Sequence, residues 1–222
     1  MLYIVATPIG NLEDITLRAL RILKEVNIIV CEDTRVTGKL LSHYEIKTKM
    51  FSWHANSNQS ELQKILEWLS DGQQVALVTD AGTPTISDPG VLLVQEVYKN
   101  LPQVKVVSVP GPSALTAALS VSGISSSNFT WLGFLPHKKG RETIFKKIAD
   151  SNETYVFYES PHRIEKTLTS LTTFAPIRKV TICRELTKLH EQVISGNAQE
   201  LLDSIKIGNL VIKGEFVVIV SD

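Results

Sequence analysis

The chain has 222 residues, of which 43% are hydrophobic and 21% charged, and this composition excludes a disordered or fibrous protein. Its 23 basic and 23 acidic residues give no net charge, so composition alone does not indicate a nucleic-acid partner. No run of about 18 apolar residues occurs, which excludes a transmembrane helix, and we expect no signal peptide because the first residues lack a basic region. Two cysteines are too few for a disulfide framework, so we expect a cytoplasmic protein with no metal site.

Short apolar runs alternate with helical patterns along the chain. The runs predict strands at residues 2–6, 27–31, 74–79, 104–109, 129–135, 154–159, 179–184 and 215–221. Several runs are apolar without interruption, which is typical of strands covered by helices on both faces. The alternation predicts an α/β fold.

Two of the predicted helices have recognisable ends. Asn58 and Glu61 have the spacing of an N-cap and its N3 acid, and Gly72 lies where a C′ glycine is expected. Ser160 and Pro161 are predicted at the N-cap and N1 positions of a later helix. Between these helices, two prolines and a glycine at residues 110–112 end one strand abruptly. We therefore predict two domains, residues 1–110 and 111–222.

Ligands of α/β proteins bind beyond the carboxyl ends of the strands, and residues 80–90 form the most informative loop in such a place. Gly82 permits close backbone approach and Pro84 stiffens the path. Asp80 and Asp88 would repel a phosphate, so the loop suits an uncharged or cationic molecule with hydroxyl groups, such as a nucleoside. The alternative is an ordinary turn between a strand and a helix.

The sequence lacks the motifs of several classes of enzyme. No dinucleotide-binding glycine motif, phosphate-binding P-loop or nucleophile elbow occurs. Cys31 and Cys183 are predicted core residues at strand ends, not nucleophiles.

Eight motifs follow one another along the chain. The first four are TPIGNLEDI at residues 7–15, CEDTR at 31–35, DAGTPTISDPG at 80–90 and PGPSA at 110–114. The other four are GFLP at 133–136, YESPHR at 158–163, RELTK at 184–188 and KGEF at 213–216. The first four resemble the tetrapyrrole-methylase superfamily. Together the eight resemble its branch that methylates the 2′-hydroxyl of a cytidine in small-subunit (16S) ribosomal RNA.

This resemblance implies two α/β domains with S-adenosylmethionine in the cleft between them, and a homodimer. The cofactor contacts that it implies are Pro8, Ile9, Asp80, Gly82, Thr83, Pro84, Ile86, Asp88, Ser113, Ala114, Phe134, Leu135 and Gly214. Longer family members have a C-terminal extension beyond the last strand. We therefore expect RNA docking to depend on the body of the protein or on a partner, unless the sequence is a shortened form.

Methyl transfer to a ribose hydroxyl needs a group that accepts its proton. Glu32 is the first candidate, because the resemblance aligns it with an acid that has this role in porphyrin methylases. Asp33 and Glu159 follow it. The alternative for Glu32 is a structural salt bridge to Arg35.

A basic segment, residues 137–147, follows the fifth predicted strand. The candidate phosphate contacts are Arg35, Lys138, Lys139, Arg141 and Arg163. Arg163 is predicted to begin a helix whose N-terminal amides favour an anion. The alternative for the basic segment is a solvated helix start. Trp53 and His54 are candidates for stacking on a base, with packing as their alternative.

Two other functions remain open at this point. One is methylation of a tetrapyrrole or another non-RNA acceptor with the same cofactor. The other is a non-catalytic module that binds the cofactor or RNA. The basic segment favours RNA over a small acceptor, and the charged residues at strand ends favour an enzyme.

Overall fold

The computed structural model of the protein describes residues 1–54 and 56–222. These residues form two units, Met1–Ser113 (unit 1) and Ala114–Asp222 (unit 2). The units divide after Ser113, where a helix begins, whereas the sequence predicts a division after residue 110. Within the described residues, no helix combines the length and the apolar character that crossing a membrane requires.

Unit 1 contains a five-stranded parallel sheet in the order β3-β2-β4-β1-β5. The strands are β1 (Leu2–Val5), β2 (Ile28–Cys31), β3 (Lys49–Ser52), β4 (Val75–Leu77) and β5 (Val106–Val109). The helices are a short 3₁₀ helix (Leu12–Asp14), α1 (Leu17–Glu25), α2 (Thr34–His43), α3 (Gln59–Ser70) and α4 (Gly90–Asn100). Because all strands are parallel, their carboxyl ends lie at one edge of the sheet.

Helices cover both faces of this sheet, as the uninterrupted apolar runs predict. Ile29 and Cys31 of β2 pack in the cluster that contains buried residues of α1 and α2. Ile28 and Val30 pack in the cluster that contains buried residues of α3 and α4. Successive side chains of a strand point to opposite faces, so a strand that is buried on both must be apolar throughout.

Unit 2 contains a mixed five-stranded sheet in the order β6-β7-β10-β8-β9. The strands are β6 (Thr130–Phe134), β7 (Tyr155–Glu159), β8 (Lys179–Arg184), β9 (Gln192–Asn197) and β10 (Phe216–Ser221). The helices are α5 (Ala114–Val121), α6 (Arg141–Ala149), α7 (Ile164–Phe174) and α8 (Ala198–Lys206). Strand β10 is antiparallel to both of its neighbours, β7 and β8. Its first residue therefore lies at the edge where β7 and β8 end, paired with Glu159 and Arg184.

The helix ends confirm one prediction and correct another. The Asn58 side chain accepts from the Glu61 amide and the Glu61 carboxylate accepts from the Asn58 amide, which completes the predicted capping box of α3. The prediction that Ser160 caps α7 is wrong, because α7 begins at Ile164. The amides of Arg163 and Ile164 both donate to the Ser160 carbonyl, at 3.0 and 3.1 Å, and this turn precedes the helix.

Candidate functional site

An open pocket of about 450 Å³ lies at the carboxyl edge of the unit 1 sheet. Strands β2 and β3 end here, and the loop after β4 begins here. The residues that line it are Glu32, Asp33, Thr34, Arg35, Ser52, His54, Asn56 and Asp80. Three of these side chains are carboxylates, and we call this the acidic pocket. It favours a cationic ligand or one that donates hydrogen bonds.

Glu32 follows β2 and is half-buried in this pocket. Burial raises the pKa of its carboxyl, and the nearby Asp80 and Asp88 carboxylates raise it further, whereas His54 lowers it. The expected alternative, a salt bridge from Glu32 to Arg35, is wrong because the Arg35 guanidinium binds both carboxylate oxygens of Asp33, at 3.0 and 2.5 Å. The carboxylate of Glu32 is therefore not neutralised by this arginine.

Asp33 has a different environment from its neighbour. It is the N-cap of α2, and its carboxylate accepts from the Arg35 amide at 2.8 Å. The Arg35 side chain and this amide lower the pKa of the Asp33 carboxyl to about 2. The Asp80 carboxylate accepts from the Asp33 amide at 3.1 Å. A carboxyl with so low a pKa is a weak base, so Asp33 is less suited to proton transfer than Glu32.

The segment after β1 pairs with the loop after β4. Thr7 and Gly82 exchange two backbone hydrogen bonds, at 2.9 and 3.0 Å. Gly82 has φ +84°, and a Cβ there would lie 3.3 Å from a methyl group of Ile9. The Thr83 hydroxyl donates to the Pro112 carbonyl at 3.0 Å. The structure thus brings together several of the cofactor residues that the sequence predicts in unit 1.

The rest of the 80–90 loop has an unusual backbone. Thr85 and Ser87 have φ values of +75° and +64°, in the left-handed region that disfavours residues with side chains. The Asp88 carboxylate accepts from the amide of Gly90 at 2.6 Å and from that of Thr85, yet burial raises its pKa. The side chain of Ile86 remains exposed. Strained residues of this kind cluster at ligand sites, which favours a binding loop over an ordinary turn.

Glu159, the third candidate base, ends β7 and lies inside unit 2. Its carboxylate has no exposed surface. It forms ion pairs with Arg163 at 2.9 Å and Arg141 at 3.4 Å, and accepts from the Thr167 hydroxyl at 2.6 Å. This environment argues against Glu159 as a general base, because its oxygens are occupied and inaccessible to a substrate.

Arg141 and Arg163 are also poorly placed for the expected contact with phosphates. Only 8% and 15% of their side-chain surfaces are exposed. Arg141 donates to the Pro136 carbonyl at 3.3 Å and Arg163 to the Leu135 carbonyl at 2.5 Å. Arg163 precedes α7 and does not begin it. Lys138 and the adjacent Lys139 are exposed, as is Arg35 in unit 1, with 87% of its side chain accessible.

The remaining predicted cofactor residues lie near the ends of strands and helices. Ser113 ends unit 1, and Ala114 begins α5. Phe134 ends β6 and is 58% exposed, and the following Leu135 is buried. Gly214 has φ +86°, and a Cβ there would overlap the Glu185 carboxyl. Pro8 and Pro84 are buried in unit 1.

Both cysteines are core residues, as predicted. Burial raises the pKa of Cys31 to about 11, although a hydrogen bond with Thr37 opposes this, and burial also raises the pKa of Cys183 to about 11. Trp53 is buried as well, so its packing alternative holds, whereas His54 lines the pocket. Across residues 1–54 and 56–222, no group of three His, Cys, Asp or Glu side chains is placed to hold a metal ion.

Three residues of the pocket were not predicted as site residues: Thr34, which lies within the motif at 31–35, Ser52 and Asn56. Ser52 ends β3 and donates through its hydroxyl to the Glu32 carbonyl at 3.2 Å. The backbone amide of Asn56 donates to Nδ1 of His54 at 3.2 Å. Assigning β3 as the neighbour of β2 would have placed Ser52 beside Glu32, because Ser52 pairs with Cys31.

Comparisons with known proteins agree with this architecture. Residues 1–202 match the family model of the tetrapyrrole (corrin/porphyrin) methylases. Ribosomal RNA small subunit methyltransferase I of Halalkalibacterium halodurans is 44% identical over 220 residues, 99% of this chain and 75% of that protein. The protein of that name from Thermotoga maritima is 46% identical over 201 residues, 90% of each chain.

A solved structure shares the fold at low sequence identity. It is uroporphyrin-III C-methyl transferase from Thermus thermophilus complexed with S-adenyl homocysteine. Its TM-score is 0.66 at 18% identity, and the match covers 100% of this chain and 97% of that one. The family match over most of the chain and the two close relatives show that this protein belongs to the tetrapyrrole (corrin/porphyrin) methylase family.

Proposed function

We propose that the protein uses S-adenosylmethionine to methylate the 2′-hydroxyl of a cytidine in small-subunit ribosomal RNA. The observation that carries this proposal is the 44% and 46% identity to two ribosomal RNA small subunit methyltransferases. The cytidine and its 2′-hydroxyl follow from the resemblance of the eight motifs.

The loop chemistry of unit 1 fits S-adenosylmethionine. When bound, this cofactor supplies a methyl group on a positively charged sulfur atom. The carboxylates of Asp80 and Asp88 suit that charge, and Gly82 leaves backbone without a side chain beside Ile9. We propose as cofactor contacts the residues that the resemblance assigns: Pro8, Ile9, Asp80, Gly82, Thr83, Pro84, Ile86, Asp88, Ser113, Ala114, Phe134, Leu135 and Gly214.

Glu32 is the base in this proposal. The 2′-hydroxyl must lose its proton as its oxygen takes the methyl group, and a carboxylate oxygen of Glu32 accepts that proton. Its raised pKa makes Glu32 a stronger base than an ordinary glutamate. Arg35 is bound to Asp33 and does not neutralise Glu32. Asp33 remains the second candidate.

Phosphate contacts come from exposed cations. Lys138 and Lys139 follow β6 in a loop where both side chains are solvent-accessible, and Arg35 is exposed at the rim of the acidic pocket. A protein with no net charge must concentrate its RNA contacts in such local patches.

Methyl transfer from labelled cofactor tests the proposed function directly. We expect incorporation into purified small ribosomal subunits, loss of the label after ribonuclease treatment, and recovery of the label in 2′-O-methylcytidine after digestion to nucleosides. Large subunits are the matched control and should stay unlabelled. Transfer to a tetrapyrrole and not to RNA would replace the proposal with the alternative acceptor class.

We also propose that the protein is a homodimer in the cytoplasm. Light scattering of the purified protein should then give twice the chain mass of 24.6 kDa. A mass of one chain at micromolar concentration would contradict the dimer.

A further inference from the structure

Glu159, Arg141, Arg163 and Thr167 form a buried polar group in unit 2, which we call the Glu159 cluster. It contains one carboxylate and two guanidiniums, so it carries an excess positive charge. Burying a charge is costly, and even a matched ion pair in a core is often no better for stability than apolar side chains. Stability alone therefore does not account for the second arginine.

The two arginines have further partners in the chain. Arg163 donates to the Leu135 carbonyl at 2.5 Å and Arg141 to the Pro136 carbonyl at 3.3 Å. These carbonyls belong to the two residues that follow β6. Each guanidinium thus joins the carboxylate of Glu159 to the start of the next loop.

The loop that begins there contains the exposed basic residues. Residues 137–139 are His-Lys-Lys, and all three are solvent-accessible. The loop ends where the Arg141 amide donates to the Lys138 carbonyl at 3.2 Å and Gly140 adopts φ +84°. Arg141 itself returns the chain to the Glu159 cluster, so both ends of the loop are attached to one buried group.

We propose that Arg141, Glu159 and Arg163 are positioning residues that hold the 137–139 loop in one conformation, so that its lysines meet phosphates of the RNA. Binding by a loop that is already ordered avoids the entropy lost when a mobile loop is fixed. The inference rests on the proposed function for the identity of the ligand. The ordering of the loop does not depend on it.

Arg178 provides a matched control in the same unit. Only 6% of its side chain is exposed, and it also donates to backbone carbonyls, those of Ile148, Glu153 and Ser221. Ser221 ends β10, so Arg178 lies at the sheet edge opposite to the Glu159 cluster. Loss of the Arg178 side chain should lower the free energy of unfolding without affecting the 137–139 loop.

The test begins with Arg163→Met, which leaves Glu159 paired with Arg141. We expect the KM for small ribosomal subunits to rise about tenfold, with kcat at saturating cofactor and saturating RNA unchanged. Amide hydrogen exchange should accelerate in residues 137–140. Arg178→Met should change neither this KM nor the amide exchange of residues 137–140. If Arg163→Met does not fold, Arg163→Lys keeps the charge beside Glu159 but lacks the forked geometry, and the same changes are expected from it.

A double-mutant cycle shows whether the cluster acts through the lysines. In a chain that already carries Lys138→Ala and Lys139→Ala, Arg163→Met should cost no further RNA affinity. Independent losses that add, or an equal loss in Arg178→Met, would overturn the inference. Unchanged hydrogen exchange in the loop of Arg163→Met would overturn it whatever the substrate is. Absence of RNA methylation by the parental protein would instead remove the proposed function.

Discussion

Two segments of the molecule have similar sequences and opposite environments. In unit 1, Glu32 follows β2 and an arginine comes three positions later; in unit 2, Glu159 ends β7 and an arginine comes four positions later. Arg35 binds Asp33 at the surface and leaves Glu32 in an open pocket. Arg163 binds Glu159, which is fully buried.

The difference arises from the residues between each pair. In unit 1, α2 begins directly after Asp33, whose carboxylate caps the helix and also binds the Arg35 guanidinium. In unit 2, a turn at residues 160–163 separates strand and helix and returns Arg163 to Glu159. The residues that follow a strand-end acid therefore decide whether its carboxylate is buried and paired, as in Glu159, or lines an open pocket, as in Glu32.

The largest expected effect is on stability in unit 2. Glu159→Gln leaves two buried guanidiniums without their counter-charge, and we expect the free energy of unfolding to fall by about 3–5 kcal/mol. Glu32→Gln, in an open pocket, should change it by about 0.5 kcal/mol or less. Urea denaturation of both variants measures the difference. Equal small changes would remove the contrast between the two segments.

The next effect is on the rate in unit 1. Glu32→Gln preserves the side-chain shape but cannot accept a proton, so single-turnover methylation should fall about a hundredfold while cofactor affinity is retained. Burial and the neighbouring acids raise the Glu32 pKa, so the parental rate should decline on acidification at a higher pH than for an ordinary glutamate. The pH–rate profile of Glu32→Gln should lack this decline at acidic pH.

Arg35→Ala is the control for this assignment. Because Arg35 binds Asp33 and not Glu32, its removal should not reproduce the loss of single-turnover rate at saturating RNA. A near-parental rate in Glu32→Gln would pass the role to Asp33 or to bulk solvent.

A smaller effect is expected on the cofactor. Gly82→Val places a side chain where the backbone must approach the ligand, and we expect cofactor affinity to fall at least tenfold, about 1.4 kcal/mol. Gly72 also has a positive φ, +79°, but a Cβ there meets nothing within 4 Å. Gly72→Val therefore shares the backbone strain without blocking the site. Calorimetry that shows unchanged affinity in folded Gly82→Val would contradict this cofactor placement.

The smallest expected effect is on cysteine reactivity, in which the two units should behave alike. Cys31 and Cys183 are buried, with pKa values of about 11, so very little thiolate forms at neutral pH. Iodoacetamide should leave both unmodified in the native protein and should alkylate both in urea, as measured by mass spectrometry. Rapid labelling of one cysteine in the native state would show that its unit opens.

Most of the fold could be predicted because buried strands have an unmistakable composition. The apolar runs located eight of the ten strands that the described residues form. The two missed strands, β3 and β9, lie at sheet edges, and exposed or polar residues such as Lys49, Ser52 and Gln192 interrupt their apolar pattern. Strands β5 and β6 also lie at sheet edges, yet their mostly apolar residues predicted them, so the polar residues of β3 and β9 explain the omission.

The site was predictable only where its residues are close in sequence. Residues 31–35 and 80–90 were recognised as motifs, and both contribute to the acidic pocket. The ion pair between Arg141 and Glu159 spans 18 positions, and no local pattern marks it. Its burial depends on α6 and α7 packing together, which is a tertiary effect.

The place of β10 in unit 2 has a consequence for the order of folding during synthesis. Unit 1 has all five of its strands once residue 109 has been made, so its sheet can form while later residues are still being added. In unit 2, the final strand is also the central one, between β7 and β8. Until residues 216–221 leave the ribosome, the backbone N–H and C=O groups of β7 and β8 that pair with β10 lack their partner, and these open edges are prone to misassociation.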